Sequence, residues 1–177
     1  LGKITAIGCL LLLGFLGFAQ EIEEGVPWDA NKRLVWADFK GKVPPAAVPA
    51  ATTASGISYT YSANLMHHEV ELDYEVTAYF YPNESWYKRE LANDTILSHE
   101  QLHFDIAELF ARKMRNRLDR TSFSDNVKAE VRKIYQEILQ ELKEFQEAYD
   151  WETNFSRNVE KQLEWNAKIA KELQEVE

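Results

Sequence analysis

Sulfur is scarce in this chain: Cys9 is its only cysteine, and two methionines complete the set. Cys9 lies in the apolar stretch at the start, so no disulfide can staple the rest of the chain. Stability there has to come from core packing or a bound metal. Cations are also outnumbered, 20 Lys and Arg against 29 Asp and Glu, giving a formal net charge of −9. That balance argues against nucleic acid and anionic membrane surfaces as partners. Seven glycines are spread without the clustered pattern that cradles nucleotide phosphates, and no internal repeat appears. Histidine is rare too, with four in all. The chain is long enough for one domain with a single core.

The most apolar run, Ile4 to Phe18, is short for a bilayer span and has no closely following stop-transfer charges. With Lys3 before it and Gly17-Phe18-Ala19 at its end, it reads as an export signal. Cleavage is expected after Ala19, leaving residues 20–177 as a single secreted or periplasmic domain with no membrane attachment. An uncleaved anchor is the rival reading. A lipid-attachment role for Cys9 is disfavoured, because the apolar run continues past it.

Beyond the leader, Leu34 to Phe39 has the aromatic and β-branched content of a short strand. Gly41 to Gly56 carries Pro44, Pro45 and Pro49, which block helix and central strand alike, so a long loop is expected. Ile57 to Tyr61 alternates as a strand. Glu69 to Tyr81 alternates more strictly, with Val70, Leu72, Tyr74, Val76, Ala78 and Phe80 on one face and Glu69, Glu71, Asp73, Glu75 and Thr77 on the other. One wet face points to an antiparallel sheet. His67 and His68 precede this strand, where a solvated turn is the default. Three helices come next: about Asp94 to Leu118, then Val127 to Tyr149 with apolar residues at steps of three and four, then about Arg157 to Val176 carrying Val159, Leu163, Ile169 and Leu173.

The first of these helices contains His99-Glu100-Gln101-Leu102-His103, an HExxH pattern. Two imidazoles four residues apart share one helical face, roughly 6 Å apart along the axis, and can reach a single tetrahedral zinc. Glu100 lies about 100° round the helix, where its carboxylate can meet a metal-bound water as a general base. A Glu- and His-rich surface helix could carry the same letters without a role. Two features favour a site: half of the chain's histidines fall in the pattern, and the flanks fit a helix. Asn93, Asp94 or Thr95 can cap it, and Ile96, Leu102, Ile106, Leu109, Phe110 and Met114 anchor it.

Several stretches together resemble a known family: Leu34-Val-Trp-Ala-Asp-Phe-Lys-Gly41, Ala54-Ser-Gly-Ile57, Ser85-Trp86, His99 to Glu108, and Tyr149-Asp-Trp-Glu-Thr153 with Gln162 and Trp165. This is the bacterial secreted domain-of-unknown-function family 922, catalogued as predicted zinc-dependent proteases. The resemblance implies an α+β, zincin-like fold: a small antiparallel sheet, the motif helix, and two further helices. It also implies zinc at His99 and His103 with Glu100 as catalytic base. One departure stands out. The family is associated with a His shortly after the Asp-x-Glu-Thr segment, where this chain reads Asn154-Phe155-Ser156.

Zinc in a hydrolase normally has three protein ligands and a water. Antiparallel pairing of neighbouring helices brings Asp150 and Glu152 to the start of the motif helix, making them first candidates for the third ligand. Pairing Leu118 with Asp125 also puts Glu144 beside His99 and Gln140 beside His103, so Glu141 and Glu144 come second. Glu108 points off the ligand face. The resulting expectation is a zinc metallopeptidase with one zinc per chain, acting on peptide or protein substrates. Its rivals are a non-catalytic exported binding domain on the same scaffold and a helical interaction module.

Overall fold

The computed structural model describes residues 25–66 and 69–176; the expected export signal, His67 and His68 lie outside them. Strand β1 is Val26–Pro27, β2 Ala51–Thr52, β3 Ser55–Met66, β4 Glu69–Phe80 and β5 Trp86–Tyr87. Helices α1 (Asp94–Asp119), α2 (Val127–Glu152) and α3 (Val159–Glu175) follow. This is an α+β arrangement. β1, β4 and β3 form an antiparallel sheet in that order, and β2 pairs with β5 as a separate antiparallel ribbon.

The period-two pattern of β4 does what its chemistry requires. Val76, Ala78 and Phe80 are buried, whereas Glu71, Asp73 and Glu75 face water. The β3–β4 register sets Ile57 opposite Ala78 and Tyr59 opposite Val76, so both strands turn one apolar face inward. That face meets Leu102, Ile106, Leu109, Phe110 and Met114 of α1, which share one core with it. Asn93 caps α1, its Oδ1 accepting the Ile96 N–H at 3.0 Å.

Leu34 to Phe39 is not a strand. Asp38 Oδ2 accepts the Val35 N–H at 2.8 Å, which closes the chain into a 3₁₀ turn over Trp36–Asp38. Leu34 and Phe39 still enter the core from either side of that turn. The proline-bearing stretch is mostly loop, as its composition requires, but takes in β2 and the first residues of β3. Gly41 has a specific reason to be glycine. Its N–H donates to Pro82 O and Ser85 O, and a Cβ there would lie 2.7 Å from Asn83 O and 2.8 Å from Ser85 O. Ser85 is fully buried and ties the same corner together, its hydroxyl donating to Tyr81 O at 2.7 Å and accepting from Ala54 N at 2.9 Å.

α1 is the axis of the molecule, with the sheet on one side and α2 and α3 against the others. Its residues from 99 to 111 are buried apart from His103, which is only partly exposed. Burial on all sides has a consequence: His99, Glu100, Gln101, Asp105 and Glu108 are all taken out of water, and each needs a partner. Asp105 accepts from Trp28 Nε1, Gln101 Nε2 and Arg33, each at 2.9 Å, and Gln101 Oε1 accepts the Leu34 N–H at 2.6 Å. These bonds clamp the incoming segment to α1. Glu108 accepts from Arg112 Nε at 2.9 Å and Arg115 at 2.7 Å.

Candidate metal centre

His99, His103 and Asp150 converge. His99 Nε2 lies 3.0 Å from Asp150 Oδ1 and His103 Nε2 lies 3.1 Å from the same oxygen. One ligand atom from each of the three can be chosen so that all lie within 4.8 Å of one another. The four-residue spacing supplies the first two, with ring centroids 4.9 Å apart and planes nearly perpendicular. α2 supplies the third from its last turn. Side-chain exposure rises from 6% at His99 through 14% at His103 to 29% at Asp150, so the cluster opens to solvent on the Asp150 side.

Asp150 sits where a carboxylate is poorly placed on its own. The C-terminal end of a helix favours cations, yet the last turn of α2 carries no basic residue and ends in Asp150 and Glu152. Burial pushes the Asp150 carboxyl up, but the hydrogen bonds and charge of His103 and His99 outweigh it and hold the group well below the usual carboxylate range. The corner beyond is unusual: Asn154, Phe155 and Ser156 have φ of 49°, 53° and 70°, left-handed backbone in three successive non-glycine residues. Each costs on the order of 1 kcal/mol. Phe155 N–H donates to Asp150 O, and Asn158 N–H to Thr153 O, which hold the corner closed.

Glu100 is 5% exposed, and its Oε2 is the single buried side-chain nitrogen or oxygen without a hydrogen-bond partner among the described residues. Every other buried acid on α1 is satisfied. An orphaned carboxylate oxygen one residue from a metal-capable cluster fits a site that receives a further polar group.

Tyr149 and Gln162 complete the surroundings. The Tyr149 ring stacks on His99 at 4.5 Å, and its phenol, raised well above the ordinary tyrosine range by burial, stays neutral as a donor to His99 O at 3.2 Å. Gln162 Oε1 lies 2.9 Å from His99 Nδ1. Neither role was read from the sequence: Tyr149 looked like part of an apolar stripe, and Gln162 entered only among the residues of the family resemblance. The buried series Gln162, Trp165, Ile169, at steps of three and four, was the available signal.

The remaining acidic candidates are elsewhere. Glu152 accepts from Trp165 Nε1 at 2.8 Å, Glu141 is paired with Arg117 at 2.9 and 3.0 Å, and exposed Glu144 accepts from Gln140 at 2.6 Å. Glu144 and Gln140 therefore do not face the histidines. Gln146 donates to His103 O and Tyr149 to His99 O, so the α1–α2 pairing is shifted along α2. Helix α2 runs on past Tyr149 to Glu152. Val159 and Leu163 are 52% and 63% exposed, because α3 turns Gln162, Trp165 and Ile169 inward instead. A cleft of about 900 Å³ lined by Trp36, Phe39, Tyr87, Lys88 and Arg89 contains none of the triad.

These features define a class: an α+β domain in which one helix presents two histidines, and the end of the next an aspartate, as a possible metal-binding triad. The comparison with family models narrows it. The model described as "Bacterial protein of unknown function (DUF922)" matches residues 82–157, from the corner after β4 through the whole triad. No curated protein and no solved structure matches the chain.

Proposed function

We propose that this chain is a zinc-dependent metallohydrolase, specifically a peptidase acting on peptide or protein substrates outside the cytoplasm. The observation that carries the reading is the partnerless buried Oε2 of Glu100 beside His99, His103 and Asp150. Two imidazole nitrogens and one carboxylate oxygen are the donor set of many catalytic zinc sites, which keep a fourth position open. Asp150 Oδ1 lies 3.0 and 3.1 Å from the two imidazole nitrogens, so the three would-be donors converge. A small sheet followed by the motif helix and two more helices also supports a zincin-like reading.

His99, His103 and Asp150 would hold the ion. When bound, zinc polarises a carbonyl and lowers the pKa of a coordinated water. Glu100 accepts the proton of the attacking water and delivers it to the leaving amine; its burial keeps that carboxylate clear of competing donors. Asp150 replaces, in this reading, the histidine that the family resemblance places near Phe155.

Glu100→Gln keeps size and shape but cannot take the proton. Cleavage of peptide libraries should fall by a factor on the order of 10² or more, with zinc content unchanged. Equal cleavage by parent and variant would remove Glu100 from the mechanism. No cleavage by the zinc-loaded parent would favour a non-catalytic binding domain.

A further inference from the structure

Gln162 is 2% exposed and makes more polar contacts than a buried glutamine needs for packing alone. Its Oε1 lies 2.9 Å from His99 Nδ1, and its Nε2 donates to Tyr149 OH at 2.7 Å and to Asn166 Oδ1 at 3.0 Å. Asn166 Nδ2 in turn donates to Ser98 Oγ at 3.0 Å, which returns the chain of bonds to α1 one residue before His99. One orientation of the two amides satisfies these groups together. Gln162 Nε2 donates to Asn166 Oδ1, the phenol hydrogen faces both Gln162 Oε1 at 2.9 Å and His99 O at 3.2 Å, and Oε1 keeps a lone pair to accept from His99 Nδ1–H. With Asn166 as placed, turning the Gln162 amide over would set two carbonyl oxygens against each other at 3.0 Å.

We infer that Gln162 is a positioning residue for the metal centre, held by Asn166 and Tyr149, that fixes the His99 ring with Nδ1 on Gln162 Oε1 and Nε2 turned toward His103 and Asp150. The inference rests on the metal-binding reading above and deepens it. A ligating histidine whose other nitrogen is bonded to a carbonyl is oriented before the metal arrives and is a better base. His103 has no such support from α3, so the two motif histidines are unequal: His99 is the anchored ligand and His103 the more open one.

The test compares zinc affinity with the thermal stability of the zinc-free protein, by competition with a chromophoric chelator and by a melting curve. Gln162→Leu fills similar space among Tyr149 and Trp165 but offers no acceptor. It should fold and bind zinc 10- to 100-fold more weakly. Gln162→Glu keeps the acceptor for His99 but faces Asn166 Oδ1 with an oxygen. It should melt lower than the parent yet hold zinc within a few-fold of it. Affinity and stability are thus expected to rank oppositely, which a merely structural glutamine would not produce. Parent-like zinc binding by Gln162→Leu, or affinities that track the melting temperatures, would overturn the inference. Should Gln162→Leu fail to fold, Asn166→Ala decides: a several-fold weaker zinc affinity supports the positioning role, and an unchanged one overturns it. A parent that binds no zinc overturns the underlying reading, a distinct outcome.

Discussion

Glu100 and Glu108 lie about two turns apart on α1, and are 5% and 6% exposed. By burial alone they are the same residue. By partners they are opposites: Glu108 accepts from Arg112 and Arg115, while Glu100 has an oxygen with no donor at all. The C-terminal half of the helix is closed electrostatically. Arg112 also donates to Leu173 O and Val176 O, Arg115 to Val76 O, and Arg117 to Glu141, so the cations bind α3, the sheet and α2 to one axis. The N-terminal half leaves one oxygen of an acid unpaired and gathers two histidines around an aspartate. A fold retains a buried unpaired acid when something other than stability requires it.

The largest effect on this contrast is expected at the closed end. Glu108→Ala removes the shared acceptor of two guanidiniums and should cost about 3 kcal/mol in urea unfolding. That is the lower end for breaking a buried pair, because Arg112 and Arg115 are 19% and 33% exposed and regain some water. A loss below about 0.5 kcal/mol, the level of an ordinary surface change, would mean that Glu108 is not a structural centre.

A smaller effect is expected at Asp150, and it depends on pH. Its folded carboxyl is held below the ordinary value by His103 and His99. The stability it contributes is therefore complete above the unfolded value of about 3.9 and is lost as pH falls from there through the folded value. Zinc-free parent protein should lose stability across that acid window, and Asp150→Asn should lose less. Equal acid sensitivity in both would show that the histidine contacts do not hold the group down.

The smallest effect is expected at the open end. Glu100→Gln alters a carboxyl group whose Oε2 has no hydrogen-bond partner to lose, so unfolding free energy should stay within about 1 kcal/mol of the parent. A loss as large as that of Glu108→Ala would erase the distinction between the two acids.

Much of this arrangement was legible in the residues. The strict alternation of Val70 to Phe80 and the cap-to-core order from Asn93 to Met114 placed β4 and α1 because propensity, pattern and capping agreed. The HExxH spacing brought His99 and His103 together without any tertiary information. Asp150 required the turn between α1 and α2, and the stagger was misjudged. An apolar stripe fixes which face of a helix packs inward and not how far along its partner the helix sits, so periodicity cannot fix the register. The stagger moved Glu144 away from His99 and brought Tyr149 and Asp150 there instead. Leu34 to Phe39 misled for a local reason, since the Asp38 side chain captures a backbone N–H that a strand would have given to a neighbour. On α3 the apolar residues Val159 and Leu163 proved exposed, because the buried face carries Gln162 for His99.

A metal held by the triad is the central claim, and metal content tests it most directly. Elemental analysis of protein purified without stripping should find about one zinc per chain in the parent, essentially none in the His99→Ala, His103→Ala double variant, and a much reduced amount in Asp150→Ala. Zinc content in the double variant equal to that of the parent would contradict it.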